Sequence, residues 1–308
     1  MTTARAPRNK TLTLSQAERC QLRAKLVSNP DEMAEKWLDH TLWADTLEAL
    51  RHLPDACADL VIADPPYNLS KRFGQMAFTA MSHEQYGAYV DSWFHEVCKK
   101  LKPHATLYLC GDWRAAATLQ RAMESELTLL NRITWQREKG RGTQRNWKNC
   151  QEDIWYGVKD AKNYCFNAEA VMMKRRVLAP YRSQGQPKDW HETDSGKFRL
   201  TYPSNFWDDI TVPFWSMAEN TDHPTQKPEK LIAKLILASS NEGDVVLDPF
   251  LGSGTTSVVA KKLGRHYCGI EQNEEYCLYA EKRLLLSDTD KRIQGLSDGT
   301  FWERNCKR

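Results

Sequence analysis

The chain has 308 residues, 41% of them hydrophobic and 27% charged, a balance that excludes an intrinsically disordered polypeptide. No run of eighteen apolar residues occurs, and no apolar stretch follows the basic residues 1–10, so neither a membrane span nor a secretory signal is expected. The net charge of +3 conceals a segregation, with +5 in residues 1–26, +8 in residues 132–188 and −10 on the remainder, which suits a polyanion partner without demanding one.

In chain order, residues 13–25 read as a short basic helix with Ser15 as N-cap, inside a basic arm of residues 1–39. From residue 42 apolar runs alternate with helical periodicities. Residues 45–52 read as a helix and 59–63 as a buried strand. Residues 82–102 carry Tyr86, Tyr89, Val90, Trp93, Phe94, Val97 and Leu101 at helical spacing, with Pro103 beyond. A second apolar strand covers 106–110 and a helix 113–123. Residues 137–148, basic and containing Gly140 and Gly142, read as a mobile loop, and 153–158 as a strand. Residues 159–222 are irregular and rich in Pro, Trp, Tyr and basic side chains, the text of an inserted lobe. Helix 228–239, strand 244–248, helix 254–263, strand 266–270 and helix 274–286 follow. Such alternation predicts an α/β fold with a mostly parallel sheet and helices on both faces. Trp43, Trp93 and Trp155 are expected in its core, and Trp190, Trp207 and Trp215 in the lobe. Nine scattered cysteines without a C-x-x-C pair are expected to be free thiols in a reducing cytoplasm, with no metal site.

Two segments carry chemistry. Residues 248–256 read Asp-Pro-Phe-Leu-Gly-Ser-Gly-Thr-Thr directly after a strand and before a helix. Such a turn lets backbone approach a ligand and offers it a helix N-terminus. The lysine of a phosphate loop and the third glycine of a dinucleotide fingerprint are both missing. Asp248 ends this strand and Glu271 ends the next, where a carboxylate can accept from a ribose diol; acid, glycines and strand-end acid suit S-adenosylmethionine. The alternative is a tight strand–helix turn that binds nothing.

The second segment is Asp64-Pro65-Pro66-Tyr67, after strand 59–63. Two prolines forbid helix and remove two backbone donors, so the strand must end and the flanking side chains stand on a stiff loop. The amine of a nucleobase is a poor nucleophile because its lone pair is delocalised into the ring. The Asp64 carboxylate and the Pro65 carbonyl can accept its two N–H bonds, while Tyr67 stacks on the base, worth about 1–3 kcal/mol. The bland reading is a surface turn with an incidental tyrosine.

Together these motifs resemble the β class of DNA amino-methyltransferases, in which the D-P-P-Y element precedes the glycine loop, a circularly permuted order. His223-Pro-Thr-Gln-Lys-Pro228 resembles the family's methionine-contacting motif, residues 44–54 its adenine-contacting motif, and Gln151 to Tyr156 the strand lining its target pocket, with Gln151-Glu152 where many relatives carry His-Glu. Asp at the first position of the tetrapeptide resembles adenine-N6 enzymes, Ser being usual for cytosine-N4.

The resemblance implies a Rossmann-like methyltransferase fold with a catalytic half at 40–164, a target-recognition region at 165–222, a cofactor half at 223–288 and a tail at 289–308. It implies catalysis at Asp64, Pro65, Pro66 and Tyr67. It implies cofactor contacts from Asp45, Ala63, Asp64, His223, Thr225, Lys227, Asp248, Pro249, Phe250, Gly252, Ser253, Gly254, Thr255, Glu271 and Gln272. Arg137, Lys139, Arg141, Arg145, Lys174, Arg175, Arg176, Arg182 and Lys188 are the expected DNA contacts. The expected partner is double-stranded DNA whose adenine is flipped out; a homodimer and a cognate restriction endonuclease are further expectations. Methylation of cytosine-N4, RNA or a protein amide, and a catalytically silent nucleic-acid-binding module, stay open as alternatives.

Overall fold

The computed structural model describes residues 6–73, 76–137, 142–194 and 196–303, without the side chains of 71–73 and 76–77. An eight-stranded sheet runs in the order His40–Trp43, His266–Glu271, Val245–Asp248, Ala58–Ala63, Leu101–Gly111, Gln151–Val158, Thr128–Gln136, Phe206–Trp207. The Gln151–Val158 strand is antiparallel to both its neighbours; every other pairing is parallel.

The Ala58–Ala63 strand shows why the sheet is buried on both faces. Val61 and Ala63 enter a core with the helices Thr46–His52, His83–Lys100 and Ala116–Glu126. Leu60 and Ile62 enter the opposite core with Glu229–Ser239 and Thr255–Lys262. Side chains alternate along a strand, so a continuous apolar run is what a two-faced burial requires.

The Ala58–Ala63 strand lies beside Val245–Asp248, with Leu60 opposite Val246, although nearly two hundred residues separate them in sequence. The chain leaves Ala58–Ala63 toward His83–Lys100 on one face. It leaves Val245–Asp248 toward Thr255–Lys262 on the other. Diverging connections open a crevice at the carboxyl ends of the two strands, where ligands bind in such sheets.

The strand Thr128–Gln136 was not expected. Thr128, Asn131 and Arg132 are exposed and only Ile133 and Trp135 are buried, so its text is too polar to announce a strand. Residues 165–222 are less irregular than their composition suggests. Met173–Arg176, His191–Thr193 and Gly196–Thr201 form a five-stranded sheet with Leu296–Ser297 and Thr300–Trp302, so residues 296–302 join this sheet. Trp93 and Trp155 are in the core as expected; Trp43 is only half-buried, donating to the Gln272 carbonyl at 3.2 Å. Trp190 and Trp207 are buried and Trp215 is exposed.

The described part of the basic arm lies along the protein. Lys10 and Leu12 backbone amides donate to Trp215 and Asn220 carbonyls. Helix Gln16–Arg23, capped by Ser15, sets Arg19 against Glu275 and Arg23 against Glu274 on helix Glu274–Leu286. Half-exposed pairs of this kind contribute little each, on the order of 0–1 kcal/mol.

Candidate active site

The loop after Ala63 is held from three sides. Tyr86, on the His83–Lys100 helix, donates to the Pro66 carbonyl at 3.1 Å. Asn68 exchanges two hydrogen bonds with the Met81 backbone, at 2.9 and 2.7 Å. The Tyr67 hydroxyl donates to Asp64 Oδ1 at 2.9 Å. With both prolines limiting the backbone, these contacts fix the Asp64 carboxylate at the sheet edge.

A cluster of charges surrounds it. The Lys227 Nζ lies 2.6 Å from Asp64 Oδ2 and 3.2 Å from Glu152 Oε2. The other Glu152 oxygen accepts from Arg137 at 2.8 Å. The Tyr67 hydroxyl also lies 3.3 Å from Glu152 and accepts from Lys227 at 3.3 Å. Burial disfavours the Lys227 ammonium, but the Asp64 and Glu152 carboxylates outweigh it and raise its pKa above the ordinary lysine value. Burial and the adjacent Asp64 charge push the Tyr67 phenol far above its usual range, so it stays a donor.

The neighbouring strand end carries the glycine turn. Gly252 and Gly254 have φ of +55° and +87°, a region costly to residues with a Cβ. At Gly252 an added Cβ would stand 3.1 Å from the His223 ring; at Gly254 it would stand 2.5 Å from the Ala280 Cβ. The turn therefore nests between His223 and helix Glu274–Leu286. Asp248 Oδ1 accepts from the Phe250 amide at 2.9 Å, and burial raises its pKa to about 7. Glu271 accepts from the Gly252 and Asn273 amides at 2.9 and 2.7 Å, and burial raises it too. The Ser253 hydroxyl is buried with no hydrogen-bond partner among the described residues. Trp93 meets Phe250 edge to face at 4.8 Å between ring centres.

One cavity of about 450 Å³ joins both strand ends. Asp64, Pro65, Pro66, Tyr67, Asp45, His223, Thr225, Lys227, Asp248, Phe250, Gly252, Ser253, Thr255, Glu271 and Gln272 all line it. Three residues anticipated for cofactor contact do not. Ala63 is buried in the strand, the Pro249 carbonyl accepts from Thr46, and Gly254 shapes the turn from behind. Asp45 caps helix Thr46–His52, accepting from the Leu47 and Glu48 amides.

The basic residues divide. Arg137, expected on a mobile loop, lines the cavity and pairs with Glu152. Lys139 and Arg141 lie outside the described residues. Lys174 sits over the Phe198 and Trp302 rings, and Arg175 lies 3.6 Å from Glu303, so both are partly engaged within the protein. Arg145, Arg176, Arg182 and Lys188 are exposed, Arg182 and Lys188 lying over Trp190 and Tyr181.

Sequence reasoning placed residues 151–156 near the target pocket but did not single out Glu152. Its signals are an acid beside Asp153 at the head of a strand that is apolar from Ile154 onward, and its match to the glutamate of the His-Glu pair that many relatives carry. Tyr89 and Trp93, named only for the helical periodicity of 82–102, also line the cavity, as does Tyr276 of helix Glu274–Leu286.

Comparison with known proteins follows from this geometry. A family profile described as DNA methylase matches residues 58–282. The type II methyltransferase M.HpaI of Haemophilus parainfluenzae is 35% identical over 78% of this chain and 72% of its own length. The DNA adenine methyltransferase YhdJ of Escherichia coli K12 is 35% identical over 78% of this chain and 80% of its own. Among solved structures, an M1.HpyAVI–SAM complex superposes with TM-score 0.54 at 23% identity, over 79% of this chain and 98% of that one. The cytosine-N4-specific PvuII DNA methyltransferase gives 0.61 at 18% identity, over 87% and 90%. These two likenesses establish the fold.

Proposed function

The chain belongs to the DNA methylase family, and from that premise we propose that it transfers a methyl group from S-adenosylmethionine to the N6 amine of an adenine in DNA. The observation that carries this reading is the single cavity holding the Asp64–Tyr67 loop at one strand end and Asp248, the glycine turn and Glu271 at the adjacent ends. The adenine assignment is supported by relatives that act on adenine by name and by Asp, rather than Ser, at position 64.

The residues present suit the donor. Asp248 offers a buried and Glu271 a half-buried carboxylate acceptor, the glycine turn brings backbone close, and the Ser253 hydroxyl, without a partner among the described residues, can hydrogen-bond a ligand. Tyr89, Trp93 and Phe250 provide an aromatic wall for a flat ring. The bound sulfonium supplies an activated methyl group whose departure leaves a neutral thioether, so no covalent enzyme intermediate is required.

The chain's own contribution is to position and to accept. An adenine inside a duplex cannot reach Asp64, so it must be flipped out, at a cost of a few kcal/mol. The Asp64 carboxylate then accepts a hydrogen bond from the amine, and Tyr67 borders the base. The amine forms its bond to the methyl carbon as the carbon–sulfur bond breaks with its electron pair going to sulfur. The surplus amine proton passes to Asp64 and on to water. Asp64 need not be a strong base, since the amine becomes acidic only as it gains the methyl. Alignment of the reacting groups supplies much of the rate. Arg145, Arg176, Arg182 and Lys188 are proposed to bind backbone phosphates, which makes affinity fall steeply with salt.

Expression in a methylation-free host with single-molecule mapping of modified bases tests the reading and reports the base, its position and the sequence motif. Asp64→Ala is expected to abolish modification while calorimetric cofactor binding persists. Normal turnover in that variant would remove Asp64 from the mechanism, and N4-methylcytosine in the map would replace adenine as target.

A further inference from the structure

Lys227 was expected to serve the cofactor, because it follows His223 and Thr225 in one motif. Its charge is instead placed at the other end of the cavity. The side chain is 8% exposed, and Nζ meets Asp64 Oδ2 at 2.6 Å, Glu152 Oε2 at 3.2 Å and the Tyr67 hydroxyl at 3.3 Å. It also stands 5.4 Å from the centre of the Tyr67 ring.

Asp64 and Tyr67 are the groups assigned above to the target base. An ammonium and an exocyclic amine ask for the same partners, since each offers N–H bonds to a carboxylate beside an aromatic ring. Asp64 Oδ1 already accepts from Tyr67, and Oδ2 accepts from Lys227. An amine arriving at Asp64 must therefore compete with the lysine. Glu152 supplies the alternative, because its Oε2 already lies within reach of the same ammonium.

Charge explains why a lysine stands here at all. Asp64 and Glu152 share this ammonium, and Arg137 neutralises the far side of Glu152. Two close carboxylates without a cation between them cannot both ionise readily, and one takes up a proton. Among the described residues, the other titratable groups facing the cluster are Tyr67, Tyr86, Cys110, Asp112 and Asp248. Burial keeps the phenols and the thiol protonated, and burial also raises both aspartates, so none of them supplies the missing positive charge.

We propose that Lys227 is a positioning residue of the target-base pocket: it yields Asp64 to the incoming amine, retains Glu152 as counter-ion, and so compensates the two carboxylates while Asp64 receives the base. This rests on the methyl-transfer reading above. A protonated Asp64 loses an acceptor site and gains a donor that faces the amine's own donors.

The test is single-turnover methylation of a duplex carrying the mapped motif, followed from pH 6.5 to 9 with wild type, Lys227→Gln and Lys227→Arg, alongside calorimetric titration with S-adenosylmethionine. Wild type is expected to show little pH dependence above pH 7. Lys227→Gln is expected to lose about tenfold in rate at pH 7 for each unit by which the Asp64–Glu152 pair titrates above pH 7, and to recover as pH increases. Its cofactor affinity should stay within about twofold of wild type. A loss of rate equal at every pH, or a loss of cofactor binding, would overturn the proposal. Lys227→Arg carries the test if the glutamine variant does not fold. Its fork grips Asp64 with two hydrogen bonds and competes harder with the base, so KM for DNA should rise several-fold on a flat pH profile. An unchanged KM refutes the competition. If wild-type protein modifies no DNA under any condition, the underlying reading fails instead, and the two failures are distinct.

Discussion

Glu152 has a side chain only 5% exposed, with Arg137 at 2.8 Å on one oxygen and Lys227 at 3.2 Å on the other. Glu152→Ala strips that carboxylate from two cations. Removing one partner of a buried pair costs about 3–5 kcal/mol, because a charge is left uncompensated. Here relief is available: Arg137 keeps 31% of its side chain exposed and can turn to water, and Lys227 retains Asp64. The lower end, about 3 kcal/mol, is therefore expected, a fall in Tm of roughly 5–10 °C. Glu152→Gln keeps the volume and one acceptor but turns an amide N–H₂ toward a cation, costing about 1–2 kcal/mol. Paired thermal or urea melts of the three proteins, with far-ultraviolet circular dichroism to confirm folding, give both differences. A Glu152→Ala melt within a degree of wild type would show that the carboxylate is not the hub of this cluster. The order Ala below Gln below wild type is the signature of lost charge compensation; a cavity alone would leave the glutamine variant at wild-type stability.

Gly254→Ala forces a Cβ to 2.5 Å from the Ala280 Cβ and 2.7 Å from its Cα at φ +87°, so a loss of about 2–4 kcal/mol in melts is expected, with cofactor affinity falling too. Asp248, its pKa raised by burial to about 7, is largely protonated in the folded protein below that pH and ionised in the unfolded chain above about 4. Its own contribution to stability therefore declines between those values, while affinity for the cationic cofactor should rise from pH 6 to pH 8 and release protons on binding. Calorimetry in buffers of different ionisation enthalpy measures both, and Asp248→Asn should flatten the dependence. Trp147 is 95% exposed between the basic residues Arg145 and Lys148. Trp147→Ala should leave the melt unchanged yet weaken DNA binding by about 1–3 kcal/mol, read by fluorescence anisotropy; unaltered affinity would deny it a stacking role.

What the sequence reveals and what it hides follow from the range of the forces involved. The Ala58–Ala63 strand and its abrupt end at Asp64-Pro65-Pro66 are local facts: an apolar run for two-faced burial, then a backbone that cannot pair onward. The turn at 248–255 is legible for the same reason, since Gly252 and Gly254 supply conformations that other residues resist. The Thr128–Gln136 strand is hidden because one neighbour is the two-residue strand Phe206–Trp207, so little of it is buried. Glu152 and Lys227 are individually visible as a buried acid and a motif lysine. Their meeting over Asp64 depends on strands and loops brought together from residues 64, 152 and 227, and spacing along the chain carries no trace of it. Charge segregation misleads in the same way. The basic arm stands out by charge alone, whereas Arg19 and Arg23 are matched by Glu275 and Glu274 on a helix two hundred and fifty residues away.

The strand Thr300–Trp302 lies parallel to Met173–Arg176, and the Trp302 carbonyl accepts from the buried Lys230. Anyone wishing to exchange DNA specificity between relatives would naturally cut at the two ends of residues 165–222 and transplant that piece. Such a chimera would carry the Met173–Arg176 strand with its neighbour Thr300–Trp302 left behind, uncovering Met173 and Phe198 and removing one of the acceptors of the Lys230 amine. The unit of exchange is discontinuous: a graft needs the 165–222 stretch together with residues 296–302, and so has two seams more than the linear map suggests.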